Sequence, residues 1–375
     1  MKNHTYQQCT RCIMDNKSDK NISFSKNGFC NYCTEAIERQ TKIYFPNELG
    51  EEKLQALLTR LKEKNTSNEY DCVMGISGGL DSSYLAYLGA VKWGLRILAV
   101  HIDDGFDTEV SKRNIERISN FPNIDLKIIK PDVKQFNELT KAYMRAGVPN
   151  LAVPQDNVLF ASLYKFLKDN NLRTFLSGGN FSLESILQKG NTHDAYDLRN
   201  LKYIHKKFGK GSIGKLTTLS ALKKDIDAYI LKIESLRPLD LIDYNRDKAM
   251  NDLKDYCGFE YYGSKHLENE LTKFIQQYWF YNKFNVDKRT SHLSSMIISG
   301  QMTRSEALKQ YELPLYTDTD MEVTIEKVLN KLGMNRAEFD KIMSEKPHQH
   351  SDYPVSTYLK VKPLLAKIKK VISKR

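Results

Sequence analysis

Between Tyr70 and Ser83 the chain reads Tyr-Asp-Cys-Val-Met-Gly-Ile-Ser-Gly-Gly-Leu-Asp-Ser-Ser. An apolar run stops abruptly at Ser77-Gly78-Gly79, and helical spacing begins at once with Leu85, Leu88, Val91 and Trp93. The stretch predicts a strand, a tight glycine turn and a helix. Such a turn aims unpaired backbone N–H groups and the positive end of a helix at one point, which suits a phosphate. Gly78 and Gly79 let the backbone approach a ligand closely, and the Ser77, Ser82 and Ser83 hydroxyls add donors. The phosphate loop that ends in Lys-Ser/Thr is absent, because Leu80 follows Gly79.

Downstream, residues 96–103 form a buried-strand run leading into Asp103-Asp104-Gly105, and a helix is expected over 108–119. A third strand is expected at 126–130, helices at 133–146 and 157–168, and a fourth strand at 174–176 that runs into Ser177-Gly178-Gly179-Asn180. Strands alternating with helices predict an α/β, doubly wound parallel sheet with ligands at the carboxyl ends of its strands. The turns at Ser77–Asp81, Asp103–Gly105 and Ser177–Asn180 then meet on one edge. Asp103 is expected to border an adenosine, and Gly178 and Asn180 an adenine, a ribose or an acceptor.

The six cysteines divide into two Cys-x-x-Cys knuckles, Cys9/Cys12 and Cys30/Cys33, and two lone residues, Cys72 and Cys257. Knuckles at this spacing suit a four-thiolate structural zinc, with disulfides or an iron–sulfur cluster as the alternatives. Net charge is +11, but lysines are spread along the chain. That balance permits an anionic ligand without selecting nucleic acid. No apolar run is long enough to span a membrane and the N-terminus lacks a signal-peptide core, so a soluble, cytoplasmic protein is expected.

A chain of 375 residues accommodates several units. The expected division is a zinc ribbon over 1–45, a nucleotide domain over 46–245 and a helical C-terminal region over 246–375. Residues 34–69 read as a helical linker. A basic stretch near 190–220 reads as a surface insertion or mobile loop. Beyond residue 318 the chain predicts helices, including an apolar stripe of Val361, Leu364, Leu365, Ile368, Val371 and Ile372 opposite lysines. His348 and His350 are expected in a polar loop, not as ligands.

Ser77-Gly78-Gly79-Leu80-Asp81-Ser82 resembles the pyrophosphate loop of the N-type ATP pyrophosphatases, the PP-loop or adenine nucleotide alpha hydrolase-like superfamily. With the two knuckles and the segment Asp287-Lys288-Arg289-Thr290-Ser291-His292, the chain resembles the N-acetyl sugar amidotransferases of bacterial surface-glycan biosynthesis, of the pseudaminic acid, legionaminic acid or lipopolysaccharide type. The resemblance implies ATP with Mg²⁺, Asp81 organising the metal, and conversion of an acetamido group on a sugar or sugar nucleotide to an acetamidino group. Because the loop has no lysine, a cation must reach the phosphates from elsewhere, and Lys288 and Arg289 are the candidates, with Lys283 behind them. His292 is placed to handle a proton on ammonia or to bind the sugar. Neither Cys72 nor Cys257 suits a glutaminase nucleophile, so ammonia is expected from a separate glutaminase subunit, as the resemblance also implies.

Two alternatives share some of these features. A tRNA-modifying enzyme with the same loop would need a catalytic cysteine pair or an RNA-binding domain, and neither is evident; no nucleic-acid partner is expected. A non-enzymatic zinc-ribbon adaptor would have no use for an intact phosphate loop.

Overall fold

A computed structural model describes residues 5–372, with side chains described through residue 364. Its centre is a five-stranded parallel sheet: β1 (Cys72–Gly75), β2 (Ile97–Ile102), β3 (Ile124–Ile129), β4 (Thr174–Leu176) and β5 (Glu234–Leu236), in the order β3-β2-β1-β4-β5. Register places Cys72 beside Ile97, Ile97 beside Ile124, and Val73 beside Phe175. Side chains alternate across the sheet, as the two-residue period of a strand requires. Cys72, Met74, Ile97 and Ala99 pack with the helices Leu80–Ala86 and Glu109–Ser119. Val73, Leu98 and Val100 face the other way, against Ala161, Leu163 and Leu167 of the helix Val153–Asp169.

The chain runs β1, β2, β3 outward, then crosses back to lay β4 on the other side of β1. A doubly wound sheet has its ligand crevice where the winding reverses, here between the carboxyl ends of β1 and β4. The expected fold class and the first four strand positions are therefore met, with ends shifted by a residue or two, whereas the run 237–242, which reads as a last strand in sequence, lies just past β5. The fifth strand is short, and Pro238–Leu241 follows it as a 3-10 turn.

The stretch near 190–220 departs from the sequence reading. Asp197 caps a helix, Leu198–Phe208, whose Leu201 and Ile204 are fully buried against the helix Val133–Ala146. A long run of polar and basic residues hid an apolar pair at helical spacing. His350 is also buried: its Nδ1 pairs with Asn200 Oδ1 at 3.1 Å and its ring stacks on His193 at 4.3 Å.

A second core joins this helix pair to the C-terminal helices through Phe274, Trp279, Met321, Ile325, Val328 and Phe339. The helix Asp318–Leu332 ends in left-handed Gly333, as its sequence predicts. Of the apolar stripe at the end of the chain, Val361 and Leu364 are exposed on the helix Thr357–Ile372, while the remaining side chains lie outside those described.

The cysteine knuckles form a small unit that leans on the C-terminal region. Ser294 Oγ accepts from Ile13 N–H at 3.1 Å, and Arg304 donates to the carbonyls of Cys12 and Cys9 at 3.0 and 3.1 Å. Gly28, at φ +76°, makes the turn before the second knuckle, and an added Cβ there would lie 2.7 Å from Thr10. No helix among the described residues is long and apolar enough to cross a membrane.

Candidate active site

The four knuckle sulfurs lie within 4.8 Å of one another and are fully buried. Backbone N–H groups of Arg11, Cys12 and Cys30 donate to Cys9 Sγ at 3.4, 3.5 and 3.2 Å, and that of Cys33 to Cys30 Sγ at 3.4 Å. Amides aimed at sulfur stabilise thiolates, and four thiolates at this spacing suit Zn²⁺. All four positions are protein ligands, so such a metal would be structural.

The strand–turn–helix at β1 forms as the sequence predicts. Gly78 adopts φ +73°, and a Cβ there would lie 2.6 Å from Ser111 O, so only glycine fits. Ser111 Oγ donates to Ser77 O at 2.8 Å, Ser77 Oγ accepts from Gly79 N–H at 3.2 Å, and Ser82 Oγ accepts from Ser77 N–H at 3.3 Å. The β4 turn presses directly on this loop: a Cβ on Gly178 would lie 3.1 Å from Ser82 N.

Beside these turns opens a cavity of about 470 Å³. Ser77, Gly79, Asp81 and Ser82 line one end, together with Ser177 and Gly178. An apolar slot of Ile102, Leu159, Phe160, Leu163 and Phe175 runs along the helix Val153–Asp169, with the Asp156 carboxyl beside it. The remaining wall belongs to the C-terminal region: Lys265, His266, Glu268, Asn269, Thr272, Gln276 and His292.

Of the residues singled out from sequence, Ser77, Gly79, Asp81, Ser82, Gly178 and His292 line this cavity. The others do other work. Asp103 pairs with Lys130 at 3.1 Å, and its neighbour Asp104 faces the cavity instead. Asn180 caps the helix Phe181–Glu184 through Leu183 N–H at 2.9 Å. Ser83 donates back to Gly79 O at 2.7 Å and is buried, and Gly78 O accepts from Asn114.

The expected cations are also elsewhere. Arg289 is held by Asp287 at 2.8 Å and by the carbonyl of Leu313, on a separate surface depression. Lys283 donates to the carbonyls of Ile342 and Glu345. Lys288 lies over the Phe280 ring at 5.3 Å, outside the cavity wall, with its ammonium pushed down to about 8 by burial.

The cation at the loop is Lys265. Its Nζ lies 3.0 Å from Asp81 Oδ2 and 2.9 Å from Glu184 Oε1, so one ammonium bridges two carboxylates. Tyr244 donates a further hydrogen bond to Asp81. Burial opposes charge on both Lys265 and Glu184, and their attraction outweighs it: Glu184 is held down at about 2 and Lys265 is raised. Sequence reading missed Lys265, Glu184 and Glu268. The available signal in sequence was a turn dense in polar groups, Gly263-Ser264-Lys265-His266-Leu267-Glu268, in which the structure gives His266 a left-handed φ of +64°.

Burial shapes the other ionisable groups. His292, its Nδ1 3.3 Å from Leu183 O, is pushed down to about 3 by burial and then by Lys265, so it is neutral at physiological pH. Burial raises Asp156 to about 7, and it raises Asp104 to about 6 although Gln155 and Asn269 donate to that carboxylate. Hard carboxylate oxygens beside a turn of the kind that suits phosphate fit Mg²⁺, and Asp81 and Glu184, already spaced around the Lys265 ammonium, are the residues that could hold it.

Residues 268–369 match the family model of the LPS biosynthesis protein WbpG-like, C-terminal domain. That part of the C-terminal region is similar to the WbpG-like C-terminal domain. Glu268, Asn269, Thr272, Gln276 and His292 of the cavity wall fall inside it. An uncharacterized protein of Methanocaldococcus jannaschii is 25% identical over 126 residues, 33% of this chain and 43% of that protein, so the chain spans less than half the length of this relative. Among solved structures, the NH3-dependent NAD synthetase of Campylobacter jejuni aligns at 18% identity and a TM-score of 0.28, over 49% of this chain and 84% of that one. The NAD+ synthetase of Burkholderia pseudomallei aligns at 13% and 0.30, over 60% and 94%. The strand order and the loop geometry carry the fold assignment, rather than these overlaps.

Proposed function

We propose that this chain is an ATP-dependent amidotransferase of bacterial surface-glycan biosynthesis that turns the acetamido group of a sugar into an acetamidino group. The observation that carries the reading is the shared cavity, in which a Ser-Gly-Gly-Leu-Asp-Ser loop forms one end and the WbpG-like domain a wall. An amide carbonyl resists ammonia because its oxygen is a poor leaving group. In the proposed reaction the amide oxygen attacks the α-phosphorus of ATP and pyrophosphate departs. Ammonia then adds to the imidate carbon, AMP leaves with the former amide oxygen, and the amidine remains.

The chain's own groups fit these steps. The Ser77 and Gly79 amides and the Ser77 and Ser82 hydroxyls, which bond to one another within the loop, would turn to the departing phosphates, and Lys265 stands where their charge would gather. Magnesium bound with the nucleotide would act as a Lewis acid on phosphate oxygens. Neutral His292 suits accepting a hydrogen bond from uncharged ammonia, and its low basicity argues against a role in retaining the proton. Ammonia is proposed to come from a separate glutaminase subunit, since Cys72 is fully buried with its thiol raised by burial and Cys257 donates to Leu253 O in its own helix.

Incubation with ATP, Mg²⁺, ammonium and a panel of acetamido sugars, followed by mass spectrometry, tests this. The expected product is lighter by the difference between an oxygen and an N–H group, with one AMP and one pyrophosphate per turnover. Release of ADP and phosphate would overturn the adenylation step.

A further inference from the structure

One acid at the phosphate loop is not explained by the groups around it. Glu268 enters the cavity from the WbpG-like domain, and its Oε2 is buried without a hydrogen-bond partner. Its carboxylate lies against the loop: Oε1 would be 2.8 Å from a Cβ built on Gly79. Its backbone is held in place: Thr108 donates to the Glu268 carbonyl through both N–H and Oγ1 at 3.1 Å, and Asp107 bridges to Asn269. Lys265 does not neutralise it by contact, being bonded to Asp81 and Glu184.

The Oε2 atom of Glu268 is buried beside the loop without a partner, burial raises the acid to about 7, and its charged form is disfavoured further by nearby Asp81 and would be by any phosphate that binds. A divalent cation between acid and phosphate removes these penalties, since hard cations take carboxylate and phosphate oxygens together. We propose that Glu268 is a ligand of a divalent cation that enters with the nucleotide between the phosphate loop and the C-terminal region. Nucleotide loading then ties the two regions together, and the C-terminal domain is part of the ATP site as well as of the acceptor site. The inference rests on the reading of this cavity as an ATP site.

The test is calorimetric binding of α,β-methylene-ATP to the full chain across a Mg²⁺ titration, with Mn²⁺ as a second probe. Glu268→Gln keeps shape and hydrogen-bonding capacity but loses the anionic ligand. The expected result is a rise of about tenfold or more in the Mg²⁺ needed for half-maximal nucleotide binding. Binding without metal should be unchanged or tighter, because a charge that repels phosphate has gone. An unchanged Mg²⁺ requirement would overturn the proposal and leave Glu268 as a neutral hydrogen-bond donor. If Glu268→Gln does not fold, Glu268→Asp decides: a shifted Mg²⁺ requirement supports the ligand role, and an unshifted one overturns it. Failure of the wild-type chain to bind the nucleotide at any Mg²⁺ concentration would instead remove the ATP-site reading, and the inference with it.

Discussion

Lys265 Nζ sits 3.0 Å from Asp81 Oδ2, joining residues 184 positions apart in the chain. The loop of β1 has no lysine of its own, and the turn at 263–268 supplies one. With Glu184 on its other side at 2.9 Å, the ammonium stands where phosphate charge would gather in the proposed reaction.

Lys265→Met should therefore lower pyrophosphate release by on the order of 10²-fold, the usual cost of losing one stabilising donor in an active site. It should also lower thermal stability, because Asp81 and Glu184 are left facing each other without a counter-charge. Lys288→Ala, which removes a lysine outside the cavity, should leave pyrophosphate release nearly intact. A coupled pyrophosphate assay on both variants checks the contrast, and equal losses would return the cation role to Lys288.

Cys9→Ser removes the sulfur that accepts three backbone N–H groups. Elemental analysis should find about one zinc per wild-type chain and a substoichiometric amount in the variant, because the affinity of such a site is also folding free energy for the knuckles. Melting temperature should fall before nucleotide affinity does. Iron with sulfide in the wild type would replace zinc by a cluster.

Asp156 gives a pH test of stability. Its folded-state value is about 7 against a reference of 3.8, and burial is the cause. Below the reference value both states hold the proton and the group is neutral to stability. Between roughly 4 and 7 the unfolded chain releases the proton while the folded chain keeps it, so stability falls as pH rises. Asp156→Asn should make that decline shallower, the remainder coming from Asp104 and Glu268, which burial also raises. Melting curves of both proteins across this range check it, and parallel profiles would contradict the assignment.

The nitrogen source is testable by pH as well. Ammonium-driven turnover should climb with pH as more of the amine is unprotonated, and glutamine should be inert with the isolated chain. Adding a glutaminase partner should make glutamine effective and flatten the profile. Glutamine-driven turnover by the chain alone would point back to Cys72 or Cys257, and Cys→Ala variants of each would identify which.

Local pattern determined a good deal of this protein. The abrupt change from β1 to Ser77-Gly78-Gly79, the alternation of strands and helices, and the two knuckles were readable because each is written in a few neighbouring residues with one favourable conformation. Gly78 is an example, since its φ of +73° follows from the turn itself. Tertiary structure decided what stands opposite that turn. The sequence pointed to Lys288 and Arg289, with Lys283 behind them, and passed over Lys265, because a basic residue's role depends on what its flexible side chain reaches after folding. Asp287 captured Arg289, backbone carbonyls captured Lys283, and an aromatic ring covers Lys288. Lys265 and Glu268 reach the loop because the strand crossover and the β2–α turn at Asp107–Thr108 carry their segment over β1. The helix Leu198–Phe208 was hidden for the same reason: its Leu201 and Ile204 acquire meaning only against the face of Val133–Ala146, a pairing between segments that no local window contains.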